Sequence, residues 1–157
     1  MKKITSVLTG MIGFGCGAVT AGRLAGNSAK GWKKMSDKHL ALMLLFNQWM
    51  IIKQSGKDIK EYFNKENYHK IIIYGMSYVG ERLLDELKNS GIEIVAAVDK
   101  NAGSIFADIP VISPDDNIPV ADCVVVTPVY FFEEIEEEMS AKVTCPIISL
   151  EDILYEI

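Results

Sequence analysis

The sequence has few residues from which disulfides, metal sites or a nucleophilic centre could be built. Its 157 residues include three cysteines and two histidines. Cys16, Cys123 and Cys145 are odd in number and lack C-x-x-C spacing, which excludes a zinc ribbon and a disulfide framework. Cys123 and Cys145 fit small core residues in a reducing compartment. His39 and His69 lie far from each other and from clusters of Asp, Glu or Cys. We therefore predict no metal site.

The motifs of several common enzyme classes are also missing. None of the six tyrosines is followed four residues later by lysine, although short-chain dehydrogenases and epimerases need that pair for proton transfer. The sequence contains no G-x-S-x-G elbow and no Walker lysine after a glycine loop. We predict no catalytic residue, and an isolated chain that is not an enzyme.

Positive charge is scarce beyond residue 38. Residues 1–38 contain seven Lys/Arg and one acid, whereas the remainder contains nine Lys/Arg and twenty acids. An acidic main part argues against binding to nucleic-acid phosphates. The basic beginning instead suggests a membrane flank.

Residues 4–22 carry no charge and have the length of a membrane span. Small residues recur every four positions from within this segment to just past it, at Gly13, Gly17, Ala21 and Ala25, a pattern that lets membrane helices approach closely. We therefore interpret residues 1–30 as a candidate membrane anchor or leader. The excess of bases after residue 22 then places the main domain on the cytoplasmic side, as a single-pass or peripheral protein.

Three alternatives to the anchor are open. A cleaved signal peptide would end at "VTA" before Gly22. A lipoprotein site at Cys16 would follow a poor processing sequence, "GFG". A soluble or disordered glycine-rich leader would leave the protein soluble in the cytoplasm.

Residues 31–68 are predicted to be a helical segment. One helix is expected over residues 37–54, with Ser36 as its N-cap and its end near Gly56. This helix is apolar on most sides and needs covering. The surface expected to cover it is the main domain, a second copy in a homo-oligomer or an enzyme partner. In the alternative interpretation, the helix lies in the membrane plane with Trp49 at the interface. A short amphipathic helix follows, with three residues facing inward: Ile59, Tyr62 and Phe63.

From residue 69 to 157, strands alternate with helices. The β-branched runs "KIIIYG", "IEIVAAVD", "IPVIS", "ADCVVVTP" and "CPIISL" predict strands, and the stretches between them include amphipathic helices. The fold class is therefore α/β, a Rossmann-like parallel sheet of about four or five strands with flanking helices, preceded by an N-terminal helical region.

The turn "YGMSYVG" resembles a dinucleotide-binding turn in which the middle glycine is Ser77. Gly75 allows the bend after the strand, and Gly80 lets the helix pack closely. The N–H groups of residues 76–79 would face an anion at the helix start. Asp99, at the end of the second strand, is placed to bind a ribose diol. The predicted cofactor-binding residues are Gly75, Met76, Ser77, Tyr78, Val79, Gly80, Asp99 and Thr127, the last also the expected N-cap of a helix that starts with Pro128.

Residues 70 to about 153, roughly half the chain, resemble a family of small Rossmann-like domains that bind nucleotides or nucleotide-sugars. The likeness lies in "KIIIYGMSYVGERLLDELKNSGIEIVAAVDKNAG", "IPVISPDD", "ADCVVVTPVYFFEEI" and "CPIISLEDIL". Such domains occur in bacterial polysaccharide-biosynthesis proteins: at the N-terminus of sugar acetyltransferases, in dehydratases, and attached to glycosyltransferases and methyltransferases. The resemblance implies nucleotide contacts at the glycine turn and at Asp99. Ser77 and the missing partner domain depart from the family pattern.

The expected function is a membrane-tethered accessory domain that binds a nucleotide or nucleotide-sugar. Its link to cell-envelope polysaccharide synthesis follows from the resemblance alone. The cofactor is open between NAD(P) and a nucleotide-sugar. The alternatives are a small NAD(P)-dependent oxidoreductase or sugar-modifying enzyme completed by a partner, and a scaffold whose nucleotide site is vestigial.

Overall fold

The computed structural model describes residues 31–157. They divide after Leu40 into two units, residues 31–40 belonging to the first and Ala41–Ile157 forming the second. The predicted anchor at residues 4–22 lies outside the described residues. Within residues 31–157, no helix has both the length and the hydropathy that a bilayer span requires. In the first unit, residues 31–40 are helical and exposed. The prediction that Ser36 caps a helix is therefore wrong, since helical residues precede it.

The second unit is built on a parallel sheet of five strands in the order β3-β2-β1-β4-β5. The strands are β1 (Lys70–Tyr74), β2 (Glu93–Val98), β3 (Val111–Ile112), β4 (Cys123–Val126) and β5 (Ile147–Ser149). β1 and β4 pair in parallel from Ile71 opposite Cys123 to Tyr74 opposite Val126. These central strands are buried on both faces, which is why they read as continuous β-branched runs. The predicted fold class is confirmed.

Helices cover both faces of this sheet. Residues 41–54, called α1, are followed by α2 (Lys60–Lys65), α3 (Tyr78–Leu87), α4 (Phe132–Ser140) and α5 (Leu150–Glu156). Two 3₁₀ turns, Ala102–Ser104 and Val129–Phe131, follow β2 and β4. Alternation along β1 sends Ile71 and Ile73 into a large core with residues of α1, α2, α3 and α5. Ile72 and Tyr74 point to the opposite face, where they meet α4.

The two helices before the sheet belong to the core of this unit. Leu45, Trp49 and Ile52 of α1 are buried, as are the three inward residues predicted for the second helix, Ile59, Tyr62 and Phe63. The compact unit consequently starts at Ala41, well before the first strand.

Trp49 also contradicts one interpretation of the first helix. Its side chain is 6% exposed, and its indole Nε1 donates a hydrogen bond of 2.8 Å to Glu86 Oε2 on α3. Lys53 Nζ lies 3.0 Å from the other oxygen of the same carboxylate. Trp49 therefore packs within the protein, and the interpretation that it sits at a membrane interface is wrong.

Candidate functional site

The turn between β1 and α3 has a geometry that only glycine satisfies at two positions. Gly75 has φ +93°, and a Cβ added there would lie 2.6 Å from Pro128 Cγ. A Cβ on Gly80 would lie 2.0 Å from the carbonyl oxygen of Gly75. The tight bend and the close helix packing predicted for Gly75 and Gly80 are both present. The fold therefore requires these two glycines whether or not a ligand binds.

Thr127 fixes this turn from the neighbouring strand. It is 2% exposed, and its Oγ1 donates to the carbonyl oxygen of Gly75 at 2.7 Å and lies 3.2 Å from that of Tyr74. The prediction that Thr127 caps a helix is wrong, because a 3₁₀ turn intervenes and α4 begins only at Phe132. Its hydroxyl proton is committed to the turn, so the role of Thr127 in this structure is to position Gly75.

Asp99 follows β2 and reaches across to the same turn. Its Oδ2 accepts a hydrogen bond of 2.8 Å from the backbone N–H of Met76, and its Oδ1 accepts one of 2.8 Å from Asn101 N–H. The side chain is half-buried. A carboxylate offers about four lone-pair sites, so Asp99 keeps capacity for a hydroxyl donor. The N–H of Met76, however, is already occupied.

The rest of the turn divides between buried and exposed side chains. Met76 and Val79 are buried, whereas Ser77 and Tyr78 are exposed. Ser77 precedes α3 in an extended conformation, and its hydroxyl makes no capping bond to the helix. The first N–H groups of a helix have no acceptor within the helix itself. Ser77 and Tyr78 are therefore the exposed side chains beside these N–H groups.

A cleft of about 360 Å³ lies beside this turn, and we call it the switch-point cleft. It sits where the strand order reverses, since the chain runs outward from β1 to β3 and then returns to β4 on the other side of β1. Ligands of open α/β sheets bind at such points, beyond the carboxyl ends of the strands. The cleft is lined by Tyr74, Gly75, Asp99, Lys100, Pro128, Phe131, Glu134, Ile135 and Glu138.

Several of these lining residues were not predicted from the sequence. The acids of α4 have the sequence pattern of a solvated helix face, and Glu134 is exposed. Glu138 is half-buried and lines the cleft one helical turn further on. Tyr74 could have been found by its register, because strand alternation places it with Ile72 on the α4 face of the sheet.

Carboxylates dominate the charge of the switch-point cleft. Asp99, Glu134 and Glu138 line it, and Lys100 is the cation that lines it among the described residues. Lys100 Nζ lies 3.2 Å from Glu138 Oε2, so its charge is locally balanced. No group of three His, Cys, Asp or Glu residues within residues 31–157 could hold a metal ion.

The two described cysteines are poor nucleophiles. Burial, with smaller contributions from Cys145 and Asp122, raises the pKa of the Cys123 thiol to about 12. Burial also raises the pKa of Cys145. The thiolate is the reactive form of cysteine, so both shifts disfavour that form near neutral pH. Cys123 is fully buried, as its predicted role in the core requires.

Fold and site together define a Rossmann-like α/β domain with an open cleft at its strand ends. A family model described as "C2185-like, N-terminal" matches residues 67–145, about half of the chain. The chain belongs to this family. The matched region runs from before β1 to just before β5 and contains the glycine turn, Asp99 and Thr127. No curated protein and no solved structure matches the chain.

Proposed function

We propose that this protein binds a nucleotide or nucleotide-sugar in the switch-point cleft and acts as an accessory domain without a catalytic set of its own. The observation that carries the proposal is the position of the cleft. It joins the glycine turn after β1 to Asp99 after β2 and to the segment after β4. This is the region of a parallel sheet in which helix N-termini and strand ends converge on a ligand.

In this proposal, phosphates lie over the start of α3, and the nucleoside lies in the cleft. Ser77 and Tyr78 are exposed at the helix start, where N–H groups and the helix dipole favour an anion. The hydroxyl of Ser77 is a further donor, and no capping bond from an N–H of α3 fixes its orientation. Asp99 accepts hydrogen bonds from a ribose diol through the lone pairs that Met76 and Asn101 leave free. NAD(P) and nucleotide-sugars both satisfy this arrangement.

The cellular role is proposed on the sequence alone. A tether through residues 4–22 would hold the domain on the cytoplasmic side of a membrane, and a link to cell-envelope polysaccharide synthesis rests on the resemblance of residues 70 to about 153 to nucleotide-sugar-binding domains. An enzyme partner that completes a site is the alternative role for the same bound nucleotide.

A scaffold with a vestigial site is the second candidate, and one observation favours it. Asp99 already accepts the N–H groups of Met76 and Asn101, so its carboxylate has a structural role with no ligand present. Thr127 is likewise committed to the turn. The two candidates differ in whether any nucleotide stabilises the folded protein.

We predict that at least one nucleotide raises the unfolding midpoint by roughly 5–10 °C at a hundred times its Kd, because a ligand of the folded state stabilises it by about 2.7 kcal/mol. The panel is NAD, NADP, UDP-sugars and CDP-sugars. Asp99→Asn should weaken binding by roughly tenfold or more, since hydrogen bonds to a charged acceptor are worth about 1.5–3 kcal/mol.

Asp108→Asn is the matched control, because that carboxylate is exposed and pairs with Lys88 outside the cleft. Each variant is compared with its own unliganded midpoint, which separates the structural effect of Asp99 from its effect on binding. If every nucleotide leaves the midpoint unchanged, the binding function is refuted and the scaffold is favoured.

We also propose that the helix predicted over residues 37–54 contacts a second copy of the chain. The outward face of α1 exposes Met43, Leu44, Met50 and Ile51. These positions lie four and three residues before and after Asn47, so a two-fold axis at Asn47 would set each residue against an apolar counterpart. Residues 39–52 contain no Asp, Glu, Lys or Arg.

Light scattering after size-exclusion chromatography tests this contact. The wild-type chain should run as a dimer at tens of micromolar, and Met50→Lys should run as a monomer, because a buried unpaired charge opposes association. Val120→Lys changes an equally apolar but distant exposed side chain and should leave the dimer intact. A wild-type monomer at every concentration would reject the second copy.

A further inference from the structure

Tyr74 is a buried polar residue whose hydroxyl has nothing to bind within the described chain. The residue is 3% exposed, and its hydroxyl oxygen has no hydrogen-bond partner among residues 31–157. Most buried polar atoms in native proteins are paired, since an unpaired hydroxyl loses its water without compensation. Tyr74 also lines the switch-point cleft at the end of β1. The missing partner is therefore expected on the cleft side.

The hydroxyl is a proton donor at neutral pH. Burial, together with the carboxylates of Glu138 and Asp99, raises the pKa of Tyr74 to about 12. Both carboxylates thus lie close enough to act on the phenol, yet neither accepts its hydrogen bond. The group that Tyr74 needs is an acceptor that can also tolerate two nearby carboxylates.

The charge of the cleft decides which part of a ligand can enter. Asp99, Glu134 and Glu138 line it, and Lys100 is already paired with Glu138. A phosphate would meet like charges there, which disfavours its entry. A neutral group that carries donors for the carboxylates and an acceptor for the phenol suits this lining. The edge of a nucleobase has that combination, with a ring or carbonyl acceptor beside an N–H donor.

We propose that the Tyr74 side of the switch-point cleft binds the nucleobase, with the Tyr74 hydroxyl donating to an acceptor on its edge and Glu138 accepting from the adjacent N–H. This inference rests on the proposed nucleotide-binding function. It assigns the nucleobase to the Tyr74 side of the cleft and leaves the phosphates at the start of α3. An N–H of the base that donates to Glu138 would compete with the Lys100–Glu138 ion pair, which is exposed on its lysine side and contributes little on its own.

Tyr74→Phe tests this directly, because it removes the hydroxyl and keeps the ring. The probes are ADP, UDP, CDP and GDP, with inorganic pyrophosphate as the probe that lacks a base, and their Kd values are measured by calorimetry on the full chain. We expect the tightest diphosphate to bind Tyr74→Phe about tenfold more weakly, with pyrophosphate binding unchanged. Tyr155→Phe, on the exposed outside of α5, should change no Kd.

The unfolding midpoint of unliganded Tyr74→Phe is a second readout, because losing a hydroxyl that has a structural partner would lower this midpoint. Removing an unpaired buried hydroxyl should leave the unfolding midpoint of Tyr74→Phe equal to or above that of the wild type. A lower midpoint with unchanged Kd values would mean that the hydroxyl has a structural partner, such as a bound water, and would overturn the inference.

The inference and the proposed function fail in different ways. If nucleoside diphosphates bind the wild type and Tyr74→Phe equally well, the base lies elsewhere and the inference is overturned while nucleotide binding stands. If none of the four diphosphates binds the wild type, the inference is overturned, and the panel of NAD, NADP and nucleotide-sugars decides the proposed function separately.

Discussion

Gly80→Ala should lower the free energy of unfolding by about 3 kcal/mol, the upper part of the range for overpacked sites. The added Cβ would lie 2.0 Å from the carbonyl oxygen of Gly75 and 3.0 Å from its carbon. Both are backbone atoms, so relief requires α3 to move away from the end of β1. Urea or thermal denaturation measures the loss, which corresponds to a fall of roughly 10 °C in the midpoint.

Gly103→Ala is the matched control for this substitution. A Cβ on Gly103 meets no atom within 4 Å, and the residue is exposed in the 3₁₀ turn after β2. It should be neutral or slightly stabilising, because alanine restricts the unfolded chain. A Gly80→Ala protein as stable as Gly103→Ala would show that the turn is not packed as described. The expected loss occurs without any ligand, because packing alone requires glycine at positions 75 and 80. The presence of these two glycines therefore does not by itself indicate binding.

Phe63→Ala should destabilise the protein by about 4 kcal/mol, within the range for truncating a buried aromatic residue. Phe63 is fully buried on α2, and its ring packs edge-to-face against Tyr62 with centroids 5.7 Å apart. It joins residues of α1, α3 and β1 in the larger core. Denaturation of the full chain measures the effect.

Phe106→Ala makes the same chemical deletion on a side chain that is 98% exposed, and it should change stability by less than about 0.5 kcal/mol. The contrast tests whether the domain extends before the family match, which begins at residue 67. Equal, small effects of the two substitutions would mean that α2 is a detachable appendage.

Local sequence patterns were sufficient for most of the sheet. The runs around Ile72, Ala97 and Val125 are β-branched or small, and each forms the strand that its pattern predicts. The amphipathic spacing after Gly75 likewise gives α3. These elements depend on periodicity and on burial against neighbours in a parallel sheet, which the sequence expresses directly.

Positions set by long-range contacts were harder to predict. Thr127 before Pro128 has the pattern of a helix cap, but its hydroxyl is taken by the carbonyl of Gly75, 52 residues away in sequence. Ser36 also belongs to a residue type favoured at helix caps, but it lies within exposed helical residues. At Thr127 a tertiary contact overrides the capping preference, whereas at Ser36 helical residues precede the expected cap.

The composition of the switch-point cleft was only half predictable. Gly75 and Asp99 follow strands, so their place at the strand ends could be derived from the alternation of elements. Glu138 and Tyr74 enter the cleft because α4 packs on the face of the sheet that Tyr74 shares with Ile72. That packing depends on the strand order, which no local pattern specifies.

Amide chemical-shift mapping by NMR tests the central claim most directly. The nucleotide that most stabilises the protein is titrated into the labelled full chain. Binding at the switch-point cleft predicts the largest shift changes at Ser77, Tyr78, Asp99 and Lys100, with no change at Tyr155. Unchanged amides at these four residues under saturating nucleotide, or changes confined to other surfaces, would contradict the proposed site.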